Sequence, residues 1–303
     1  MVQKSFNSKI LLFGEYSIIK DPMALCIPYS LFEGSLSFRK NEGPKIDPEL
    51  KAFSQYLKRC YKKDKFEFDF DARSFDFDIS QGLYFDSTIP QGFGVGSSGA
   101  LCAAIFSRYV REFSLNPEMI FKLKRFFAKM ESFFHGSSSG IDPLISFLNK
   151  AVLIKGKDDL LMVDLPSYET GKGGIFLLNT GRARKTEPLV NLFLEKCSSQ
   201  DFGRVCDQYL LPLTHQCIDS FLNCNLELLF ESFKNLSSFQ REHFDPMIPP
   251  LFKDLWEAGL ESNEFHLKLC GAGGGGFLLG ITRDFSLIEK SLNSYETRIV
   301  YRF

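Results

Sequence analysis

The sequence predicts an α+β chain in two domains. Short apolar stretches with strand-like alternation are interleaved with longer stretches of helical period. A composition shift at Pro166–Gly174, in a chain of 303 residues, places a boundary between residues 1–170 and 171–303. Two glycine-rich turns, Pro90–Ala100 and Gly271–Gly276, sit where one element hands over to the next.

Lys9–Ile19 reads as a buried strand, a break at Gly14 and a second apolar piece, with Lys9 at the strand's start as either a solvated end or a site residue. Ala24–Ser30 and Gly34–Arg39 read as two further strands, and Pro48–Tyr61 as a helix. Phe66–Asp71 and Ser74–Ile79 alternate strictly, which predicts two half-buried strands, compatible with an antiparallel pair. Ala100–Phe113 predicts a helix. Another begins at Asn116–Pro117, with asparagine as cap and proline in the first turn. Met119, Ile120, Leu123, Phe126, Phe127, Met130 and Phe134 give it an apolar stripe.

Leu144–Leu148 reads as a short helix, and Ala151–Ile154 with Leu160–Leu165 as a hairpin. The second domain opens on a strand, Gly174–Leu178, and continues through helices that include Leu226–Phe239 and Pro249–Ala258. Strands Phe265–Cys270 and Phe277–Ile281 flank the second glycine-rich turn.

Composition narrows the function. Hydrophobic residues make up 44% and charged residues 24%, ordinary for a globular protein with a sizeable core. The net charge of -1 gives no basic surface for nucleic acid or acidic membrane. The 33 phenylalanines read as core filling, and the eight cysteines, with no C-x-x-C pair, as reduced thiols. Met1–Ser8 lacks the apolar core of a signal peptide. No apolar run approaches the roughly 18 residues of a membrane span. A cytoplasmic protein is expected.

In Pro90–Ala100 four glycines fall within eight residues, directly before a helix. Glycine lets backbone N–H groups approach a ligand, and a helix start adds free donors and the positive end of the macrodipole. The stretch is therefore either a phosphate seat, with Ser97 and Ser98 offering hydroxyls to phosphate or magnesium, or a plain turn before a packed helix. Gly94–Gly99 has dinucleotide-fingerprint spacing, but the preceding Asp86–Pro90 is a poor buried strand. No lysine follows the glycines as a Walker loop requires, and the protein-kinase signature set is absent.

Glu131 points to the edge of an apolar stripe, where a carboxylate is costly unless it is paired, metal-bound or reaches water. Asp142 is either a helix cap or a site group, and His135 structural or catalytic. The basic, hydroxyl-rich turn Asn179–Thr186 is a solvated loop or an anion contact. In Gly271–Gly276, five glycines in six residues imply a backbone that must approach something closely.

Three segments, Lys9–Ile19, Pro90–Ala100 and Gly271–Gly276, together resemble the GHMP small-molecule kinases, in family order and across essentially the whole chain. Pro90–Ala100 is similar to that family's P-x-x-x-G-L-G-S-S-A, with Val95 for Leu and Gly99 for Ala. Within the family, Glu131–Asp142 resembles the mevalonate kinase motif E-x-x-x-H-G-x-P-S-G-x-D, with Ser138 in place of the proline. Asn179, Thr180 and Thr186 resemble its N-T-x-x-x-x-x-T segment. Tyr16 stands where many mevalonate kinases carry histidine; tyrosine there also occurs in phosphomevalonate kinases.

The resemblance implies an N-terminal domain like ribosomal protein S5 domain 2 and a ferredoxin-like C-terminal domain. It implies ATP and Mg2+ as cofactors and mevalonate or a related alcohol as acceptor, and it is compatible with a homodimer. Pro90, Gly92, Gly94, Val95, Gly96, Ser97, Ser98 and Gly99 would surround the phosphates. Ser98 and Glu131 would hold the metal, and Asp142 would act as base with Lys9 beside it. Glu15, Tyr16, His135, Ser139, Thr180, Thr186, Gly273 and Gly274 would contact substrate. Phosphomevalonate kinase, or another kinase of the family, is the nearest alternative, and a non-catalytic metabolite sensor of the same fold the more distant one.

Overall fold

The computed structural model describes residues 4–20, 23–39, 45–63, 68–111, 116–156, 159–167, 171–183 and 187–303. In chain order β1 (Ser5–Phe13) is followed by α1 (Ser17–Lys20), β2 (Ala24–Phe38), α2 (Pro48–Lys63), α3 (Ala72–Ser80) and β3 (Leu83–Ser87). Next come α4 (Ser97–Tyr109), α5 (Pro117–His135), α6 (Ile141–Leu148), β4 (Ala151–Gly156) and β5 (Asp159–Val163). After β6 (Gly174–Asn179) the chain forms α7 (Glu187–Cys197), α8 (Gln200–Val205), α9 (Leu211–Leu222), α10 (Leu226–His243) and α11 (Lys253–Ser262). It ends with β7 (Phe265–Leu269), β8 (Phe277–Thr282), α12 (Phe285–Leu292) and β9 (Thr297–Arg302). Helices mixed with antiparallel strands make this the expected α+β architecture. No helix among the described residues is long and apolar enough to cross a membrane.

Two compact units form, each from several stretches of chain. The first gathers Met1–Lys9, Pro28–Pro90 and Val95–Lys150. In it β3 runs antiparallel to the end of β2, with Gly34 opposite Ser87 and Phe38 opposite Leu83. The helices bury an aromatic cluster as expected: the Phe106 ring of α4 lies 5.1 Å from Phe127 of α5 and 5.0 Å from Phe147 of α6. The Asn116 side chain caps α5 by accepting the Met119 N–H at 2.9 Å, as its position before Pro117 predicts.

The strand pair expected over 66–79 does not form. Phe66 and Glu67 lie outside the described residues; Phe70 makes one isolated bridge to Val110, and Ser74–Ile79 is helical within α3. Asp71 caps that helix, accepting the Ser74 N–H at 2.9 Å and the Ser74 hydroxyl at 2.8 Å. Alternation would put Phe75, Phe77 and Ile79 on one face. In the helix Phe75 and Ile79, four residues apart, are buried, while Phe77 is 63% exposed. A side-chain cap and an i, i+4 pair outweighed the period-two pattern. The two strands expected at 24–30 and 34–39 are one continuous strand, β2, because partners pair with it at both ends: β4 along Ala24–Cys26 and β3 along Gly34–Phe38.

The second unit gathers Ile10–Ile27, Gln91–Gly94 and Ala151–Phe303. Its four-stranded antiparallel sheet has the order β7-β8-β6-β9. The expected pairing of β4 with β5 is present, Ala151 opposite Val163. Every residue of β7 and β8 is buried. Gln240 of α10 accepts the Leu269 N–H through Oε1 at 2.8 Å, and the fully buried Trp256 of α11 donates to Ser237 at 2.9 Å. Both bonds seat helices on the sheet that presents the second glycine-rich turn.

Candidate functional site

The glycine turn before α4 runs through Gly92, Gly94 and Gly96 at φ 77°, 76° and 82°. Gly96 is the N-cap of α4, in the left-handed region, and no side chain caps the helix. The N–H groups of Ser97, Ser98 and Gly99 thus stand at a helix start without intrahelical acceptors, at the positive end of the dipole. Glycine is required here for space as well. A Cβ on Gly96 would stand 2.8 Å from Cγ of Lys9, and one on Gly99 would stand 2.8 Å from the backbone carbon of Asp142. Gly99→Ala, which restores the residue of the family motif, is expected to cost about 1–3 kcal/mol of stability by overpacking. Chemical denaturation checks this; an unchanged midpoint would mean that α6 yields without strain.

Lys9 is held against the same turn by its N–H, which donates to the Val95 carbonyl at 3.0 Å. Its ammonium lies 2.9 Å from Oδ1 of Asp142. Gly140, at φ 75°, caps α6 and puts Asp142 in the first helical turn, where the dipole favours a carboxylate. Asp142 is therefore not the cap, which was one of its two readings. Glu131 of α5 is 3% exposed. Its Oε1 accepts the Ser98 hydroxyl at 3.0 Å and its Oε2 accepts the Ser138 hydroxyl. Ser98 Oγ is also 2.9 Å from Nε2 of His135. Burial, and then the negative charge of Asp142, push the Glu131 carboxyl up to about 7, against the pull of the Ser138 and Ser98 hydrogen bonds and of Lys9. The structure thus brings Lys9, Val95, Gly96, Ser98, Gly99, Glu131, His135 and Asp142 together within the first unit. Ser139 is exposed in the turn before α6, its hydroxyl 3.4 Å from the Ile141 N–H that donates to it.

These residues fit both groups that the family resemblance implies. The uncapped helix start and the glycine cradle suit phosphate. The Ser98 hydroxyl and Glu131 carboxylate are oxygen donors, suited to a hard cation that takes few protein ligands and keeps waters. Burial raises the proton affinity of Glu131, and a divalent cation would relieve that cost. Among the described residues no group of three or more His, Cys, Asp and Glu side chains is placed to hold a metal, so a metal here would rest on this smaller set.

In the second unit the Gly271–Gly276 turn is pinned along its length. Glu15 accepts the Gly271 N–H, and the Tyr16 hydroxyl donates to the Ala272 carbonyl at 2.6 Å. The Met247 carbonyl accepts the Gly274 N–H at 2.6 Å. The Thr180 hydroxyl donates to the Gly276 carbonyl at 2.7 Å, and the Arg182 carbonyl accepts the Gly276 N–H at 2.6 Å. Gly273 is buried and Gly274 exposed. Tyr16 is buried, held at φ 63° with its ring 4.7 Å from that of Phe193. Glu15, Tyr16 and Thr180 are thus engaged with the turn itself. Thr186, with Arg184 and Lys185, lies outside the described residues.

Sequence reasoning missed Lys268. Fully buried in β7, it donates to Glu15 and, at 2.9 Å, to the Leu269 carbonyl. The signal was a lysine inside the otherwise apolar Phe265–Cys270 strand, since a buried ammonium requires a partner. Ser138 was read only as a departure from a motif, and the contact it makes with Glu131 was not anticipated.

Residues 55–150 match the family model of the GHMP kinases N terminal domain. The chain is 26% identical over 319 residues to the mevalonate kinase of Thermococcus sibiricus, covering 92% of this chain and 89% of that protein. The structure of L. major mevalonate kinase in complex with R-mevalonate gives a TM-score of 0.66 at 16% identity, covering 97% of this chain and 92% of that one. Streptococcus pneumoniae phosphomevalonate kinase in complex with phosphomevalonate and AMPPNP gives 0.66 at 14% identity, covering 99% and 100%. At these identities the structural likenesses establish the fold.

Proposed function

We propose, from the premise that the chain belongs to the GHMP kinases, that it transfers the terminal phosphoryl group of ATP to the primary hydroxyl of mevalonate. The observation that carries this is the Lys9–Asp142 ion pair set directly against the uncapped start of α4. Phosphoryl transfer needs a held phosphate chain, neutralised charge and an oriented hydroxyl. The N–H groups of Ser97, Ser98 and Gly99 bind phosphate oxygens. Asp142 accepts the proton of the acceptor hydroxyl. Lys9, paired with Asp142 at 2.9 Å, lowers the proton affinity of the alcohol beside it. Ser98 and Glu131 hold magnesium, which when bound supplies charge neutralisation at the phosphate oxygens. Cytoplasmic residence belongs to the same proposal.

Mevalonate as acceptor is supported by the name of the Thermococcus sibiricus relative. A second reading, phosphomevalonate, is favoured by Tyr16 in place of histidine and by the exposed Arg182 next to the second glycine turn, a cation suited to an extra phosphate. An ADP-release assay over mevalonate, phosphomevalonate, galactose and homoserine separates them. Mevalonate should give the highest kcat/KM; a preference for phosphomevalonate would replace this acceptor with the second reading, and release with none would refute the kinase assignment.

A further inference from the structure

We propose that Ser138 is a positioning residue for the divalent-cation site, fixing the Glu131 carboxylate and tying it to the turn that starts the helix carrying Asp142. The proposal rests on the reading that Glu131 and Ser98 hold the cation. Glu131 presents two oxygens to its surroundings. Ser98 donates to Oε1 and Ser138 to Oε2. Ser98 is the other member of the proposed metal set, so Oε1 would face the cation, and Ser138 holds the other oxygen.

Ser138 is itself fixed. Its Oγ accepts the Gly140 N–H at 3.0 Å. Gly140 caps α6 and sits tight on α5, where a Cβ would stand 2.1 Å from the Lys124 carbonyl oxygen. One hydroxyl therefore links Glu131 on α5, the Gly140 cap and, two residues on, Asp142. The motif that this segment resembles carries proline at position 138. Proline has no hydroxyl, so it can neither donate to Glu131 nor accept from Gly140. The serine gives this chain an orienting bond that its family motif does not encode. A carboxylate bonded through its outer oxygen keeps one rotamer, and the inner oxygen then meets the cation without first being ordered.

The test is divalent-cation affinity of the full chain in complex with ADP, by calorimetric titration with Mn2+, alongside the Mg2+ dependence of turnover. Ser138→Ala should weaken Mn2+ binding about 10–100-fold, the range for losing a group that orients a metal ligand. The acceptor KM should move little, while the melting temperature without metal should fall modestly, because Glu131 and the Gly140 N–H lose a partner. Ser138→Thr, which keeps the hydroxyl, should bind Mn2+ as the parent does. If Ser138→Ala fails to fold, Ser138→Cys, of similar size and a weak donor, takes its place with the same expectation.

Parent-like Mn2+ affinity in Ser138→Ala or Ser138→Cys overturns the proposal, as does weakening of the same size in Ser138→Thr. Glu131→Gln separates the two levels. If it too leaves Mn2+ affinity unchanged, the cation is not at Glu131, and the underlying reading fails together with the proposal. If Glu131→Gln loses the metal and Ser138→Ala does not, only the proposal fails.

Discussion

Asp142→Asn is expected to keep the fold and the affinity for nucleotide while turnover falls by about 10²–10⁴-fold, the usual worth of a general base. Asparagine has nearly the same shape and keeps the first turn of α6, so the approach to Gly99 is retained. What it removes is the negative charge 2.9 Å from the Lys9 ammonium and the site that takes the proton. Lys9, with its side chain only 11% exposed, loses the charge of Asp142, so a modest loss of stability accompanies the change. Glu131 is relieved of repulsion from Asp142, so the magnesium requirement should not rise. Steady-state turnover, ADP affinity and thermal unfolding separate these effects. Turnover near the parental rate would remove Asp142 as the base.

Lys268→Met is the second large effect. The side chains of Lys268 and Glu15 are 0% and 1% exposed, so neither charge has water to fall back on. Burial pushes the Glu15 carboxyl up, and Lys268 and the Gly271 N–H pull it back. Removing the ammonium leaves a buried, unpaired carboxylate next to the start of the second glycine turn, which should destabilise the protein by about 3–5 kcal/mol. Adding Glu15→Gln should recover most of this loss, because a neutral amide still accepts from Gly271 without a charge to desolvate. Denaturant unfolding of both variants is the measurement. A single variant of parental stability would show that the pair contributes nothing; a double variant as weak as the single would move the role to the Lys268 bond with the Leu269 carbonyl.

The two glycine turns, the helix beginning at Asn116–Pro117, the pairing of β4 with β5 and the resemblance to the GHMP kinases were legible because each is written in neighbouring residues. Caps, prolines and glycines act within a few positions, and period is a local property. Over 70–79 two local signals disagreed. The alternation of Phe75, Phe77 and Ile79 was the visible one, but the Asp71 cap decided the structure, since it satisfies otherwise orphaned N–H groups. Lys268 and Ser138 were opaque for another reason. Each acts through one partner, Glu15 or Glu131, and nothing in the spacing along the chain says which side chain will lie opposite.

Sequence alone determined which family the chain resembles, the GHMP kinases by motif order, with Lys9, Ser98, Glu131 and Asp142 as the groups to examine. Only the tertiary structure decided how those groups are set. It put Lys9 on Asp142 and two hydroxyls on Glu131, and it engaged Tyr16 and Thr180 with the second glycine turn. The reason is that residue type states which bonds a side chain can make, while burial and the geometry of packed helices select the one that it does make.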